Sequence, residues 1–426
     1  MKYIDLPENI ETKFFVLDKG ALAAVPEVLQ KAFPGRRMQM IADGNTYRVA
    51  GEKVQTLCQQ NDLQPYEPII LPAEPKPHPD YSLSQNLAEQ FPADCVPVAV
   101  GSGVINDLVK CAAEIKKLRY CCVATAASVD GYTASGGAMA VGQQKKTVPC
   151  PAPYALIADT DVLHTAPAEM MASGYADLMS KVTGGADWMI ADELGIEKIV
   201  PSIWSLVQDD LRDNLADPEN LEKLFLGLAA TGYAMQMYHD SRPASGAEHL
   251  CSHVWEMEKL ALNGAEISHG FKVGIGVLAI AQLHEFIINT PVEQARKMAK
   301  APLNEVERKA EIAELLKKDC YGDAIAPLAF NKTPFGEAMT ARRELIFKSW
   351  ENIQKRIQNQ LLPSATLRDM LKKANAPTRF EEIGLTEEQY FHGIKTAQLI
   401  RNRYTSLDML YEAGLLDAAL SNIVNC

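Results

Sequence analysis

Residues 96–107 read VPVAVGSGVIND, an apolar run that empties into a glycine pair ahead of a helical pattern over Asp107–Lys117. Val96–Val100 has the length and valine content of a strand buried on both faces. A strand that turns through glycines into a helix is the building unit of a parallel sheet. Outward from this unit the alternation repeats. Towards the N-terminus, strands are expected at Phe14–Leu17, Met38–Ala42 and Pro68–Leu71, with helices at Ala21–Ala32, Tyr47–Gln60 and Leu83–Gln90. The proline-rich PAEPKPHPD after the third strand reads as a loop. Towards the C-terminus, Cys121–Thr125 and Ala155–Asp159 add two further strands.

The pattern changes around TDVLHTAPAE, residues 160–169. Beyond it lie long amphipathic stretches, Leu221–Tyr238 and Ala247–Leu262, and charged periodic ones, Glu305–Lys318 and Arg342–Gln360. The expected fold is an α/β N-terminal Rossmann-like domain over residues 1–165, followed by an all-α C-terminal domain over residues 166–426. Ligands of such two-domain proteins commonly bind in the cleft between the domains. A chain of 426 residues, 47% hydrophobic and 23% charged, can bury large cores, which excludes disorder as its main state. The net charge of −12 speaks against nucleic acid as a partner. The most apolar stretch, Val273–Ala281, stops at Gln282, short of the roughly 18–20 residues a membrane span requires, so no stable membrane insertion is expected. Charges occupy the N-terminal segment MKYIDLPENIETKF where a leader would be apolar. The nine cysteines are odd in number, include the adjacent Cys121 and Cys122, and form no C-x-x-C pair. Reduced thiols in a cytoplasmic protein are the reading.

Several residues invite chemistry. Gly101 and Gly103 let backbone approach a phosphate, and the helix that follows offers free N–H groups and a favourable dipole. Asn106 stands where the dinucleotide fingerprint has its third glycine, and the turn follows the fourth strand rather than the first, so a plain tight turn is an equal reading. Asp43, in IADGNTY, suits a ribose hydroxyl or a helix N-cap. Five of the eight histidines, His239, His249, His253, His269 and His284, lie within 46 residues of one another. His249 and His253 share one helix face, and His269 sits in the glycine-containing ISHGFKVGIG. Such a set with a carboxylate suits a divalent metal or an ordinary hydrogen-bonded core. The carboxylate candidate is Asp177, four residues before Lys181, which equally reads as a surface ion pair. Asp130, in ATAASVDGYTASGG, follows a strand and is a binding group or a turn aspartate. Arg242, Arg401 and Arg403 suit an anion or ordinary ion pairs, and KKLR and ERKAEIAELLKK read as solvated helix faces.

The ordered series GSGVIND, TAASVDGY, IADTDVL, GYADLMSK, SRPASGAEHLCSH and ISHG resembles the sn-glycerol-1-phosphate dehydrogenases, within the iron-containing alcohol dehydrogenase and dehydroquinate synthase-like superfamily. The match runs over residues 14–290, and RNRYTSLDMLYEAGLL near the C-terminus also fits. The resemblance implies a dehydroquinate synthase-like two-domain fold and a homo-oligomer. It implies that Asp177, His249 and His269 bind one divalent metal, Zn, Ni or Fe, and that Asp130, His253 and Asp177 serve the substrate. It also implies that Gly103, Val104, Ile105, Asn106 and Asp107 hold the phosphates of NAD(H) or NADP(H). Thr125, Ala126, Ala127 and Ser128 would line that cofactor, with Asp43 at its adenosine end. The family carries a serine four residues after the aspartate at 130; here Ala134 stands there, followed by Ser135, which puts that cofactor contact in question. The reaction implied is reduction of dihydroxyacetone phosphate, a small phosphorylated ketone, to sn-glycerol 1-phosphate for lipid synthesis. The rivals are a dehydrogenase of an unphosphorylated polyol such as glycerol, a cyclase that recycles NAD, and a catalytically inactive relative.

Overall fold

The structure is a computed structural model and describes residues 2–142 and 144–423, side chains 144 and 145 excepted. Six strands form one parallel sheet: β1 (Phe14–Asp18), β2 (Arg37–Asp43), β3 (Ile69–Leu71), β4 (Cys95–Gly101), β5 (Cys121–Ala124) and, after the antiparallel hairpin β6 (Gly137–Val141) and β7 (Gln144–Val148), β8 (Ala155–Asp159). Every residue of β4, β5 and β8 is buried, as expected of strands covered on both faces.

The strand order is β1-β8-β5-β4-β2-β3. The chain therefore opens at an edge of the sheet, not at its centre. From β2 it steps outward to β3, whereas from β4 it steps the other way to β5. The switch lies between β2 and β4, and their C-terminal ends, Asp43 and Gly101, lie on neighbouring strands there. Ligands of open parallel sheets bind at such switch points. This explains why the glycine turn follows the fourth strand. The helix after it, α4 (Gly103–Ile115), starts four residues earlier than the periodicity suggests, directly on the turn. The earlier sheet helices are α1 (Val25–Ala32), α2 (Glu52–Gln60) and α3 (Tyr81–Glu89).

The remainder is largely helical. Its principal members are α5 (Ala168–Glu193), α6 (Leu221–Tyr238), α7 (Ala247–Met257), α8 (His269–Asn289), α9 (Gly336–Gln360), α10 (Glu387–Ala397) and α11 (Ser406–Glu412). Helix α7 ends five residues before the expected Leu262, and a small hairpin, Ala261–Leu262 with Ala265–Glu266, follows it. The backbone groups into two compact units. The first runs to Gly174 and regains Arg212–Asp240, hence α6; the second holds Tyr175–Leu211 and the chain from Ser241 onward. A single cut after residue 165 misses this return.

In the second unit, Trp255, Trp350, Phe347, Tyr390 and Ile394 belong to one apolar cluster into which α8 is packed. Helix α8 passes straight through Gln282 and has the length and mean hydropathy, 1.6, of a membrane span, yet 78% of that window is buried within the protein. It is a core helix longer than the apolar run suggests. Among the described residues all eight cysteines are free thiols, and Cys320 alone of them is exposed.

Candidate active site

Asp177, His249 and His269 come from three helices, α5, α7 and α8, and their ligand atoms lie within 4.8 Å of one another. Glycines allow those helices to converge. A Cβ on Gly276 would stand 2.6 Å from the Glu248 carbonyl oxygen, so only glycine lets α8 pack this closely on α7. A Cβ on Gly246 would stand 2.7 Å from both the Gly184 Cα and Asp187 Oδ2, which sets the start of α7 against α5. Asp187 secures that start by accepting from the Ala247 N–H at 2.7 Å.

Each histidine of the trio is held by a carboxylate. His249 Nδ1 lies 3.0 Å from Glu248 Oε1, and His269 Nδ1 lies 2.9 Å from Glu256 Oε1. A carboxylate only accepts, so both Nδ1 atoms carry hydrogen, and the Nε2 atoms are the ones whose lone pairs a bound cation would take. Glu248 is itself fixed, accepting from the Gly246 N–H at 2.6 Å and the Thr183 hydroxyl at 3.0 Å. His249 Nε2 stands 3.3 Å from Asp177 Oδ1. One carboxylate and two imidazole nitrogens, backed by a second layer of carboxylates, form a donor set that fits a first-row divalent cation.

The Asp177–Lys181 pair is not on the surface: both side chains are fully buried and 3.2 Å apart. Burial raises the Asp177 carboxyl, but Lys181 and His249 outweigh it and hold the group well below the usual carboxylate range. Burial lowers the His249 imidazole, and its hydrogen bonds to Asp177 and Glu248 bring the net shift upward. His253 belongs to the same cluster, its ring centroid 6.4 Å from that of His249 and 5.9 Å from that of His269. Burial dominates there and pushes its imidazole down to about 4, so it is neutral at pH 7.

In the first unit the C-terminal ends of β2, β4 and β5 lead into the other expected residues. Gly101 is required by packing, because a Cβ would meet Ile105 Cβ at 2.5 Å. Ser102 makes no side-chain cap bond, so the first-turn amides of α4 receive no hydroxyl from it. Asn106 points inward, its Oδ1 accepting from the Tyr120 hydroxyl at 3.0 Å and its Nδ2 reaching the Tyr132 carbonyl at 3.4 Å, while its backbone N–H closes onto Ser102. Val104 is half-buried and Ile105 fully buried. Asp107 Oδ2 accepts from the Ala138 N–H of β6 at 3.2 Å. The Thr125–Ser128 stretch runs beside this turn, with the Thr125 N–H on the Gly101 carbonyl at 3.1 Å. Asp43 caps the helical turn after β2, accepting from the Asn45 and Thr46 amides at 2.8 and 2.9 Å. Asp130 opens a short 3-10 turn and is half-buried. Ala134 is buried and Ser135 exposed.

Four supporting residues escaped the sequence reading: Glu248, Glu256, Lys272 and Lys110. Glu256 follows His253 by three, so that helix face carried its signal, whereas Glu248 adjoins His249 along the chain and shares no face with it. Lys110 is fully buried and donates to the carbonyls of Gly131, Ala134 and Gly136 at 3.0, 3.0 and 3.1 Å. It gathers the loop that begins at Asp130. Arg242, by contrast, is absorbed by the protein, donating to the carbonyls of Tyr404 and Asp187 at 3.0 Å each.

Known proteins resemble this chain in sequence and in fold. Residues 16–167 match the family model described as iron-containing alcohol dehydrogenase. The chain is 28% identical to the glycerol-1-phosphate dehydrogenase [NAD(P)+] of Bacillus subtilis (strain 168), over 96% of this chain and 92% of that protein. It is 30% identical to the enzyme of the same name from Halalkalibacterium halodurans, over 71% of this chain and 78% of that protein. Among solved structures it resembles glycerol dehydrogenase from Schizosaccharomyces pombe, with a TM-score of 0.59 at 16% identity, covering 96% of this chain and 89% of that one. It also resembles sulfoacetaldehyde reductase from Bifidobacterium kashiwanohense in complex with NAD+, with a TM-score of 0.55 at 16% identity, covering 96% and 98%.

Proposed function

The chain belongs to the glycerol-1-phosphate dehydrogenase [NAD(P)+] family of the iron-containing alcohol dehydrogenases, and on that premise we propose that it reduces dihydroxyacetone phosphate to sn-glycerol 1-phosphate with NAD(P)H. The observation that carries this reading is the Asp177–His249–His269 set with a carboxylate behind each imidazole. These three residues would hold the divalent metal, for which Zn, Ni and Fe are candidates. When bound, the metal supplies Lewis-acid polarisation of the substrate carbonyl, and the nicotinamide supplies a hydride to C2. The balance is ketone plus NAD(P)H plus a proton, giving alcohol plus NAD(P)+.

The chain's own residues bind, orient and handle the proton. His253, whose Nδ1 lies 3.3 Å from Glu256 Oε2, presents Nε2 as the atom that takes the hydroxyl proton in the oxidative direction and returns it in the reductive one. Asp130 is assigned to the substrate on the family resemblance. The first-turn amides of Gly103, Val104 and Ile105 are assigned to the dinucleotide phosphates, Thr125–Ser128 to the cofactor's flank and Asp43 to its ribose. Charge supports a phosphorylated substrate. The buried carboxylates of Asp177, Glu248 and Glu256 outnumber the buried ammonium groups of Lys181 and Lys272 by one, so a divalent cation makes the centre net positive. A product of this kind feeds ether-type glycerophospholipid synthesis in the cytoplasm.

The test is NADH oxidation by metal-reconstituted protein, with dihydroxyacetone phosphate and dihydroxyacetone side by side and His249→Ala as control. Strong preference for the phosphorylated ketone, lost in the variant, is expected. Preference for dihydroxyacetone would assign the protein to the unphosphorylated polyols instead.

A further inference from the structure

We infer that Glu256 is a positioning residue that locks a metal-site imidazole and the proton-handling imidazole together through one carboxylate. The inference rests on the metal reading above. Glu256 lies three residues after His253 on α7, and its side chain is only 6% exposed. One oxygen, Oε1, lies 2.9 Å from His269 Nδ1 and 3.2 Å from Lys272 Nζ, and the other, Oε2, lies 3.3 Å from His253 Nδ1. Two rings from different helices therefore take their orientation from a single group.

The consequence differs from that of Glu248. Among the described residues Glu248 orients the His249 ring alone, through Oε1, which also accepts from the Gly246 amide, while its Oε2 accepts from the Thr183 hydroxyl. Glu256 fixes the tautomer of both its rings: with hydrogen on each Nδ1, His269 turns a lone pair towards Asp177 and His249, and His253 keeps a lone pair on Nε2. Lys272, buried on α8 one turn after His269, neutralises the carboxylate and ties it to the helix that carries the metal ligand. Losing Glu256 therefore disturbs metal holding and proton transfer at once, whereas losing Glu248 disturbs metal holding alone.

The experiment uses the full chain stripped of metal and titrated with Co(II), followed by its visible absorption and by competition with a chelator. Wild-type protein should take up one equivalent, and His249→Ala should abolish the visible bands. Failure of either result would overturn the metal reading itself and is seen before any Glu256 variant is made. Glu256→Gln should weaken Co(II) binding by roughly 10- to 100-fold, the usual cost of an outer-shell partner. At saturating metal its turnover should remain depressed, and Glu256→Gln combined with His253→Ala should turn over like His253→Ala alone, within about twofold. In Glu248→Gln, by contrast, saturating metal should restore more of the lost turnover than it does in Glu256→Gln. Unchanged Co(II) affinity in Glu256→Gln, or multiplied losses with His253→Ala, would overturn the inference. Where Glu256→Gln does not fold, Glu256→Asp, which keeps the charge and retracts the carboxylate by one methylene, is read in the same way.

Discussion

The helical unit and the sheet unit build their sites from different material. In the helical unit the site consists of side chains: Asp177, His249 and His269, each from its own helix, with Glu248 and Glu256 behind the imidazoles. In the sheet unit the proposed dinucleotide site would be made mainly of backbone, the glycine turn at the end of β4 and the first turn of α4, with Asn106 turned inward and Asp107 tied to the β6 hairpin. A side-chain site depends on residue identity, whereas a backbone site depends on shape. Substitutions should therefore act sharply in the first case and in the second only where they move the chain.

The largest effect is expected at His249. Removing a metal ligand forfeits the Lewis-acid contribution, worth several kcal/mol, so His249→Ala should cost about 10³-fold or more in kcat/KM. Metal analysis of the purified variant should show the loss directly, with dinucleotide binding retained. A variant that keeps its metal would break the comparison at its root.

Lys110→Met should be next, and it tests the other side. Its Nζ serves three loop carbonyls and lies 3.4 Å from Asp107. Leaving those acceptors, one buried and two partly buried, unsatisfied and Asp107 without this cation should cost about 2–4 kcal/mol of stability and raise the KM for the dinucleotide by about tenfold. Thermal melting and cofactor titration measure both. Metal affinity should not move, and if it did, the two regions would not be separable.

The helical unit also holds a carboxyl whose ionisation opposes folding. Burial raises Glu412 from its ordinary 4.5 to about 7, against the Tyr404 hydroxyl at 2.6 Å and Arg342 at 3.4 Å, which lower it. The folded state thus keeps a proton that the unfolded state releases. This stabilisation is fully present below pH 4.5 and is lost as pH rises through 7, by about 3 kcal/mol. Glu412→Gln should flatten stability over that window in denaturant titrations while leaving the metal site loaded. An unchanged pH profile would place the titration elsewhere.

The same contrast governs what was legible in the sequence. The sheet was readable because β4, β5 and β8 are uniformly buried and so appear as unbroken apolar runs. The metal trio was readable because histidines and a carboxylate are named by type, and the resemblance then chose among the five clustered histidines. What stayed hidden depends on distance between elements. Nothing local tells that Lys181 is fully buried rather than on a surface, that residues 212–240 return to the first unit, or that Asn106 is spent on two tyrosines. The early start of α4 was missed because Gly103 and Val104 carry little helical periodicity, although the turn geometry begins the helix there.

The smallest effect is expected at Val104, and it is the most pointed test of the backbone site. Val104 is half-buried in the first turn of α4, and its assigned contribution is its amide, which alanine also possesses. Alanine favours the helix slightly more than valine does, by a few tenths of a kcal/mol, so the turn should keep its shape. Val104→Ala should therefore change the KM for NAD(P)H by less than about threefold, close to the noise of a single surface substitution. A tenfold loss would mean that the valine side chain itself grips the dinucleotide. The sheet unit would then read its ligand by residue identity, as the helical unit does, and the difference between the two would reduce to how many side chains each employs.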